Sequence, residues 1–458
     1  MSEIQSQSPG TPLKVDPETK LDHTPTPPIP SPVSMKDQED EVHSTGKEIP
    51  EKPIEVEEFQ EMPFGWVIVI GATLVQITSY GTITSWGVMQ NYFEKYYFGQ
   101  DKQLDLSFVG TISLIFIYGS APISQLLISW LGIRTSMMIG SACVSLGLIT
   151  AGWAFEIWHL YLSQGILFGL GASIMYFCIM NVVPAWFRKH QGLALGIVAA
   201  GSGIGGLAIP FIMTPINDSL GPGWTYRILG LICLACDIVA VMIVKPRAPV
   251  PHQRKKFSDI VQLDVLKNIN MVLFSLGSMM SLLGYFIPYF FLPSYATSKG
   301  LSDQQGSAMI AVSSACNFIG RIIAGMVADR FGAVNTNVIF TLMGSLSSFL
   351  IWTFAETYGS LMAYSAIFGL FCGSYFSLLS PILTKIVGLE KYPTALSVLL
   401  ISNIVSVFGP NIATAIENNV NSPRYFSYKM FAGVTYLLGA MILFILKIRL
   451  NKHIFSKV

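Results

Sequence analysis

The residue with the clearest chemistry in this 458-residue chain is an arginine set deep in an apolar run. Arg321 stands eight residues before the Asp329-Arg330 pair, about 12 Å along a helix. That is too far for comfortable snorkelling to the helix end. A charge at such depth costs several kcal/mol unless it faces a cavity or a partner, and its planar fork suits a carboxylate or another anionic group. Asn317, one turn earlier, shares its helix face at i, i+4. Asp237 is the second charge inside an apolar run. It reads either as a proton carrier or as a buried partner for a hydroxyl or backbone group, and the structural reading is favoured. Aromatic side chains gather at Tyr285, Phe286, Tyr289 and Phe290 around Pro288 and Pro293, and again at Tyr375 and Phe376. Such stripes are usually packing, yet tyrosine also offers a flat face and a hydroxyl to a solute. Gly201-Ser202-Gly203-Ile204-Gly205-Gly206 satisfies the dinucleotide glycine pattern, but no strand precedes it. There the small residues let helices approach closely.

The elements that must position these groups follow from hydropathy. Hydrophobic residues make up 52% of the chain and charged residues 12%, about half the charge of a soluble domain. The formal net charge of +1 gives no reason to expect a nucleic-acid partner. All six cysteines lie in apolar runs and read as small buried hydrophobes, including the Cys233-x-x-Cys236 pair. With six histidines, no HExxH and no carboxylate cluster in the apolar runs, a membrane-embedded enzyme is disfavoured and neither a metal nor a cofactor is expected.

A bilayer core about 30 Å thick takes roughly 20 apolar residues per helix, and twelve such stretches are found. They run near 64–90, 107–130, 135–155, 158–186, 192–214 and 224–244, then 270–295, 306–328, 335–355, 359–387, 393–416 and 425–448. The predicted fold is an all-α integral membrane bundle of two six-helix halves, 63–244 and 270–448. A disordered tail 1–62 precedes them, a linker 245–269 separates them and a short end 449–458 follows. With the tail inside, sixteen Lys and Arg fall in inner connections and six in outer ones; five in the tail and Arg321 complete the 28. Both termini are therefore expected to be cytoplasmic. Within the linker, Phe257, Ile260, Val261 and Leu266 sketch an amphipathic stretch.

The halves repeat one another. Phe168-Gly169-Leu170 matches Phe368-Gly369-Leu370, and Trp130-Leu131-Gly132 matches Arg330-Phe331-Gly332, at one offset of 200 residues; Leu193-Ala194-Leu195 matches Thr394-Ala395-Leu396 at 201. Both halves start on one side, so the repeat is parallel, as in transporters. Two longer motifs sharpen the reading. Trp186-Phe187-Arg188-Lys189-His190-Gln191-Gly192 continues through Leu195-Gly196 to Ala200-Gly201-Ser202, and Gly320-Arg321 runs through Gly325 to Asp329-Arg330-Phe331-Gly332. With Glu61-Met62-Pro63-Phe64-Gly65-Trp66 opening the first span, these resemble the signatures of the major facilitator superfamily. Within it they resemble the monocarboxylate porter family, particularly its fungal branch.

The resemblance implies alternating access around a solute bound at mid-membrane, with the first, fourth, seventh and tenth spans lining the cavity. It implies that Arg321 anchors the solute, with Tyr285, Tyr289 and Phe376 on the cavity wall, and that Asp329 and Arg330 form a latch between helices. In proton-coupled members the matching arginine has an aspartate one turn earlier and the first span carries a lysine. Here those positions read Asn317 and Thr84, which favours a carrier unlike the proton/lactate symporters. A facilitator of a larger solute such as riboflavin is then a serious alternative. The expected partners are a small-molecule solute and the lipid bilayer, most simply of the plasma membrane, with an internal membrane as the alternative. A nutrient receptor on the same scaffold is the rival from another class.

The tail carries 14 acidic residues against five lysines and cannot bury enough apolar surface to fold. Its Ser8-Pro9, Thr11-Pro12, Thr24-Pro25, Thr26-Pro27 and Ser31-Pro32 steps point to phosphorylation and ubiquitination machinery controlling turnover. Deleting residues 1–50 is then expected to lengthen the protein's cellular half-life in a translation-block chase; an unchanged half-life rejects that control.

Overall fold

Gly132 and Gly332, 200 residues apart, adopt the same left-handed backbone, with φ of 78° and 97°. That region strains any residue with a Cβ. At each glycine a helix ends and the next begins at once in the opposite direction. A third such reversal is at Gly388, where φ is 74°. These turns define the chain path in the computed structural model, which describes residues 63–99, 102–247 and 263–451. The tail, most of the linker with Phe257, Ile260 and Val261 of its amphipathic stretch, and the last seven residues lie outside the described residues; Leu266 is exposed on the short turn Leu263–Lys267.

Twelve helical traverses result. In the first half α1 is Phe64–Thr84 extended by Trp86–Tyr96, and α2 is Gln103–Gly119 continued over 121–131. Then α3 covers 133–151, α4 Ile157–Trp186, α5 Gln191–Leu220 and α6 Pro222–Ile243. In the second half α7 is Ile269–Ser298, α8 Asp303–Phe331 and α9 Ala333–Leu350. Next, α10 is Tyr358–Cys372 continued over 374–387, α11 spans 389–419 and α12 is Phe426–Leu450. The twelve-span reading therefore holds, with the first helix running one and a half turns beyond its apolar stretch.

Local chemistry explains the ends and bends. Ser302 and Gln305 close a reciprocal cap at the start of α8, satisfying donors that a helix start leaves open. Asn268 accepts from the Asn270 amide at the start of α7. Prolines 288 and 293 lie inside α7 and prolines 210 and 215 inside α5, removing ladder hydrogen bonds where a bend is tolerable. Buried serines turn inward on their own helices: Ser113 donates to Val109 O and Ser278 to Phe274 O. Outward-facing positions are apolar, with Phe211 75% and Met138 61% exposed. Lipid is the medium that accepts such a surface.

The face bearing both described ends of the bundle is built from ring contacts. Phe64 packs on Trp186 at 5.8 Å and Trp66 meets Phe187 edge-on at 5.1 Å, while the Lys245 ammonium lies 4.1 Å from the Phe64 ring centre. Hydrogen bonds between the halves gather toward this face. Ser397 donates to Gln125 Oε1 at 2.8 Å, joining α11 to α2, and the Tyr392 hydroxyl donates to Met180 O at 2.8 Å, joining α11 to α4.

Inside the second half, α8 and α10 touch backbone to backbone at Gly320, where the carbonyl of Leu370 occupies the place a Cβ would take. Gly320→Val is expected to lower the thermal unfolding midpoint by the equivalent of about 1–3 kcal/mol; a wild-type midpoint would contradict that packing.

Candidate functional site

Arg321 lies on α8 at the level where the two halves meet, and 6% of its surface is exposed. One terminal nitrogen, Nη1, donates to the carbonyl of Ala199 at 2.6 Å and to the hydroxyl of Ser202, both on α5 of the opposite half. The other, Nη2, donates to the Tyr285 hydroxyl on α7 at 3.3 Å. The guanidinium carbon stands 4.7 Å from the centre of the Phe376 ring, a cation–π contact. All of these partners are uncharged. The described ion pairs, Lys102–Asp105, Lys267–Asp264 and Lys299–Glu356, lie elsewhere. At the surface pair between α7 and α10, the Lys299 ammonium holds the Glu356 carboxyl below its ordinary range by hydrogen bonding.

A cavity opens beside this cation. Its first-half wall is Gln76, Tyr80, Ile83 and Thr84 on α1, Leu114 and Tyr118 on α2, Tyr176 on α4 and Ser202 on α5. The other wall is Tyr285, Phe286, Arg321 and Phe376. The rings are ordered within each wall: Tyr80 and Tyr176 lie 5.1 Å apart, and Tyr285 meets Phe376 edge-on at 5.3 Å. Atom-free space totals about 450 Å³, but it is a narrow slot, wide enough in places for only a few waters. Its exposed surface is mostly apolar, as in a small-molecule site, although eight of its twelve lining side chains carry a polar atom.

The expected site residues divide. Arg321, Thr84, Tyr285 and Phe376 come together on the cavity. Thr84 donates to carbonyls of its own helix, at Tyr80 and Gly81. Asn317 and Tyr289 instead meet behind the wall at the Cys372 thiol, the Asn317 amide 3.0 Å and the Tyr289 hydroxyl 3.8 Å from its sulfur. Four residues advance a helix by a little more than one turn, so Asn317 is set about 40° round from Arg321, toward α10. The tyrosines of the first half and Ser202 were not singled out from sequence. A tyrosine in an apolar run looks the same whether it packs or lines a gap.

Other singled-out groups are also placed. Asp237 is fully buried between α6 and α1, its Oδ1 accepting from the Thr78 hydroxyl at 2.7 Å. It lies on the side of α1 away from the cavity, in keeping with the structural reading. All six cysteines are free. Asn217, which opens the glycosylation-type sequence Asn217-Asp218-Ser219, is 3% exposed and donates to the Met89 sulfur. Gly201 allows α5 to approach the Thr73 carbonyl of α1.

The motif residues border a second, more polar cavity on the face of the bundle ends. Arg188, Lys189, Asp329 and Lys385 line it, while Arg330 is exposed. Asp329 closes the seam between α5 and α8, its two oxygens accepting from the amides of Gly192 at 2.7 Å and Leu193 at 2.8 Å. The start of α5 is where a carboxylate is electrostatically welcome. At the corresponding place in the first half, Ser129 donates to Leu126 O of its own helix. Asp329→Asn replaces an anionic acceptor pair worth about 1.5–3 kcal/mol per bond. Thiol labelling of a cysteine placed at Thr384, in a background without native cysteines, is expected to quicken about tenfold; unchanged labelling would remove the latch.

The comparisons with known proteins agree with one another. A family profile described as "Major Facilitator Superfamily" matches residues 67–410 and 274–454. The agnestins efflux protein AgnL12 of Paecilomyces divaricatus is 28% identical over 399 residues, covering 86% of this chain and 90% of its own. The probable transporter MCH2 of Saccharomyces cerevisiae is 26% identical, covering 81% and 80%. Among solved structures, the proton:xylose symporter XylE bound to 6-bromo-6-deoxy-D-glucose superposes with a TM-score of 0.65 at 14% identity, covering 84% of this chain and 96% of its own. The transporter FucP in the outward conformation gives 0.64 at 16%, covering 84% and 98%.

Proposed function

Because this chain belongs to the major facilitator superfamily and is a membrane transporter, we propose that it carries a small organic anion by alternating access, in the manner of monocarboxylate porters. One observation carries the proposal: a buried guanidinium on the cavity wall has only neutral partners. A buried charge is costly unless an opposite charge approaches it. A solute carboxylate arriving from water supplies that charge and matches the fork geometry. The excess of Lys and Arg in the connections on one side supports a cytoplasmic location for both ends, and the plasma membrane is the simplest location. The state described here has its end-bearing face held closed by Asp329 and the α11 contacts. It is then the outward-facing or occluded member of the cycle.

The aromatic walls favour a second reading, in which the solute is larger and flat. The Tyr80–Tyr176 and Tyr285–Phe376 pairs would stack on a ring system such as riboflavin's. Efflux is an equally natural direction, since one relative is named an efflux protein.

Purified full-length protein in liposomes tests these readings against labelled pyruvate, benzoate and riboflavin, with and without a pH gradient. Saturable uptake of a carboxylate is expected. It should fall at least tenfold in Arg321→Ala, as loss of charge-assisted bonds requires, while expression and membrane insertion stay near wild type. The pH gradient should matter little, because Asn317 and Thr84 hold the places where proton-coupled porters carry titratable groups. Wild-type uptake by Arg321→Ala would remove the anchor, uptake of riboflavin alone would favour the second reading, and no uptake of any solute would favour a receptor.

A further inference from the structure

We propose that the opposite half of the molecule serves as Arg321's ligand when no solute is bound, and that Ser202 is the positioning residue through which solute binding releases the seam between α5 and α8. The inference rests on the reading of Arg321 as the solute's anchor. It follows from counting the edges of one guanidinium.

An arginine can meet a carboxylate side-on, through Nε and one terminal nitrogen, or end-on, through both terminal nitrogens. The side-on edge is closed. Nε is buried without a hydrogen-bond partner and faces the backbone of α10, where a Cβ added to Gly373 would stand 2.9 Å from it. The end-on edge borders the cavity, but it is occupied. Nη1 holds the Ala199 carbonyl and the Ser202 hydroxyl, and Nη2 holds Tyr285. Ser202 is oriented for this role: its own proton goes to Ala199 O at 3.0 Å, which leaves its lone pairs for the guanidinium. A bidentate anion must therefore take Nη1 from α5.

That exchange is also a mechanical event. Ala199 and Ser202 lie on the same helix whose first amides hold Asp329. Between those points α5 and α8 run in backbone contact, a Cβ on Gly196 falling 2.7 Å from the Arg321 carbonyl. Without an anion, parting the helices strips Nη1 of both partners in the buried seam. With one bound, Nη1 is already satisfied on the α8 side and the seam loses its central tie. The loaded carrier then crosses more readily than the empty one.

The test uses full-length protein in liposomes preloaded with labelled benzoate. Efflux is measured into benzoate-free buffer and into buffer containing unlabelled benzoate, and half-saturation is measured for uptake. In the wild type, exchange should exceed net efflux by about tenfold or more, the scale of a charge-assisted hydrogen bond. Ser202→Ala should narrow that gap several-fold by quickening net efflux, and should lower the half-saturating concentration; Ser202→Thr, which keeps the hydroxyl, should restore wild-type behaviour. Equal net efflux and exchange in the wild type would overturn the proposal without touching the anion-transport reading. So would a Ser202→Ala carrier with an unaltered gap and half-saturation. Failure of the wild type to carry benzoate or pyruvate in either mode removes the anion reading itself, and this inference with it.

Discussion

A positive charge that lipid cannot solvate sits at the joint between two halves of this protein, and its hydrogen bonds reach across that joint. The contacts of Arg321 to Ala199 and Ser202 place the cost of burying a cation on the same surface that must open and close. Everything else on the seam is consistent with that economy of place. Small residues bring α5 and α8 close enough for a side chain of one to reach the backbone of the other, and Asp329 fixes the start of α5 at the end of the same contact. Remove the cation and the cavity becomes an uncharged, tyrosine-lined slot.

The two walls divide the work. The second-half wall supplies the charge and the edge-on aromatic pair that shields it. The first-half wall supplies hydroxyls and flat faces from Tyr80, Tyr118 and Tyr176. Behind the second-half wall, Asn317, Tyr289 and Cys372 form a polar layer that holds α8, α7 and α10 in register. A residue one turn from Arg321 thus bears on the cavity through helix placement.

The traverses were legible because lipid leaves no choice: twenty apolar residues in succession have one stable arrangement. The repeat was legible because a left-handed glycine is needed at the same reversal in both halves. Arg321 stood out because an arginine in such a run demands an explanation, and Tyr285 and Phe376 because they cluster near prolines or glycine. The first-half wall was not legible. Tyr80 and Tyr176 become neighbours only when α1 packs on α4, and Ser202 gains its partner only when the halves meet, so neither contact leaves a periodic trace in one sequence. Asn317 shows the reverse limit. Sharing a helix face within one turn leaves enough rotation to point a side chain at a different neighbour.

The latch is lopsided, with a carboxylate across the α5 start in one half and, in its counterpart, a serine folded back on its own helix. Because the repeat is parallel, both places lie on the end-bearing face, so one carboxylate holds that face where a matched pair would hold it harder. Under the proposed alternating access, a hold on one face alone tilts the free-energy profile of the cycle. A passive carrier cannot turn such a tilt into net pumping, because detailed balance forbids it. The tilt instead makes the two membrane faces kinetically unlike: the same solute meets a receptive site more often from one side than from the other, and half-saturation and maximal rate rise or fall together between the two sides.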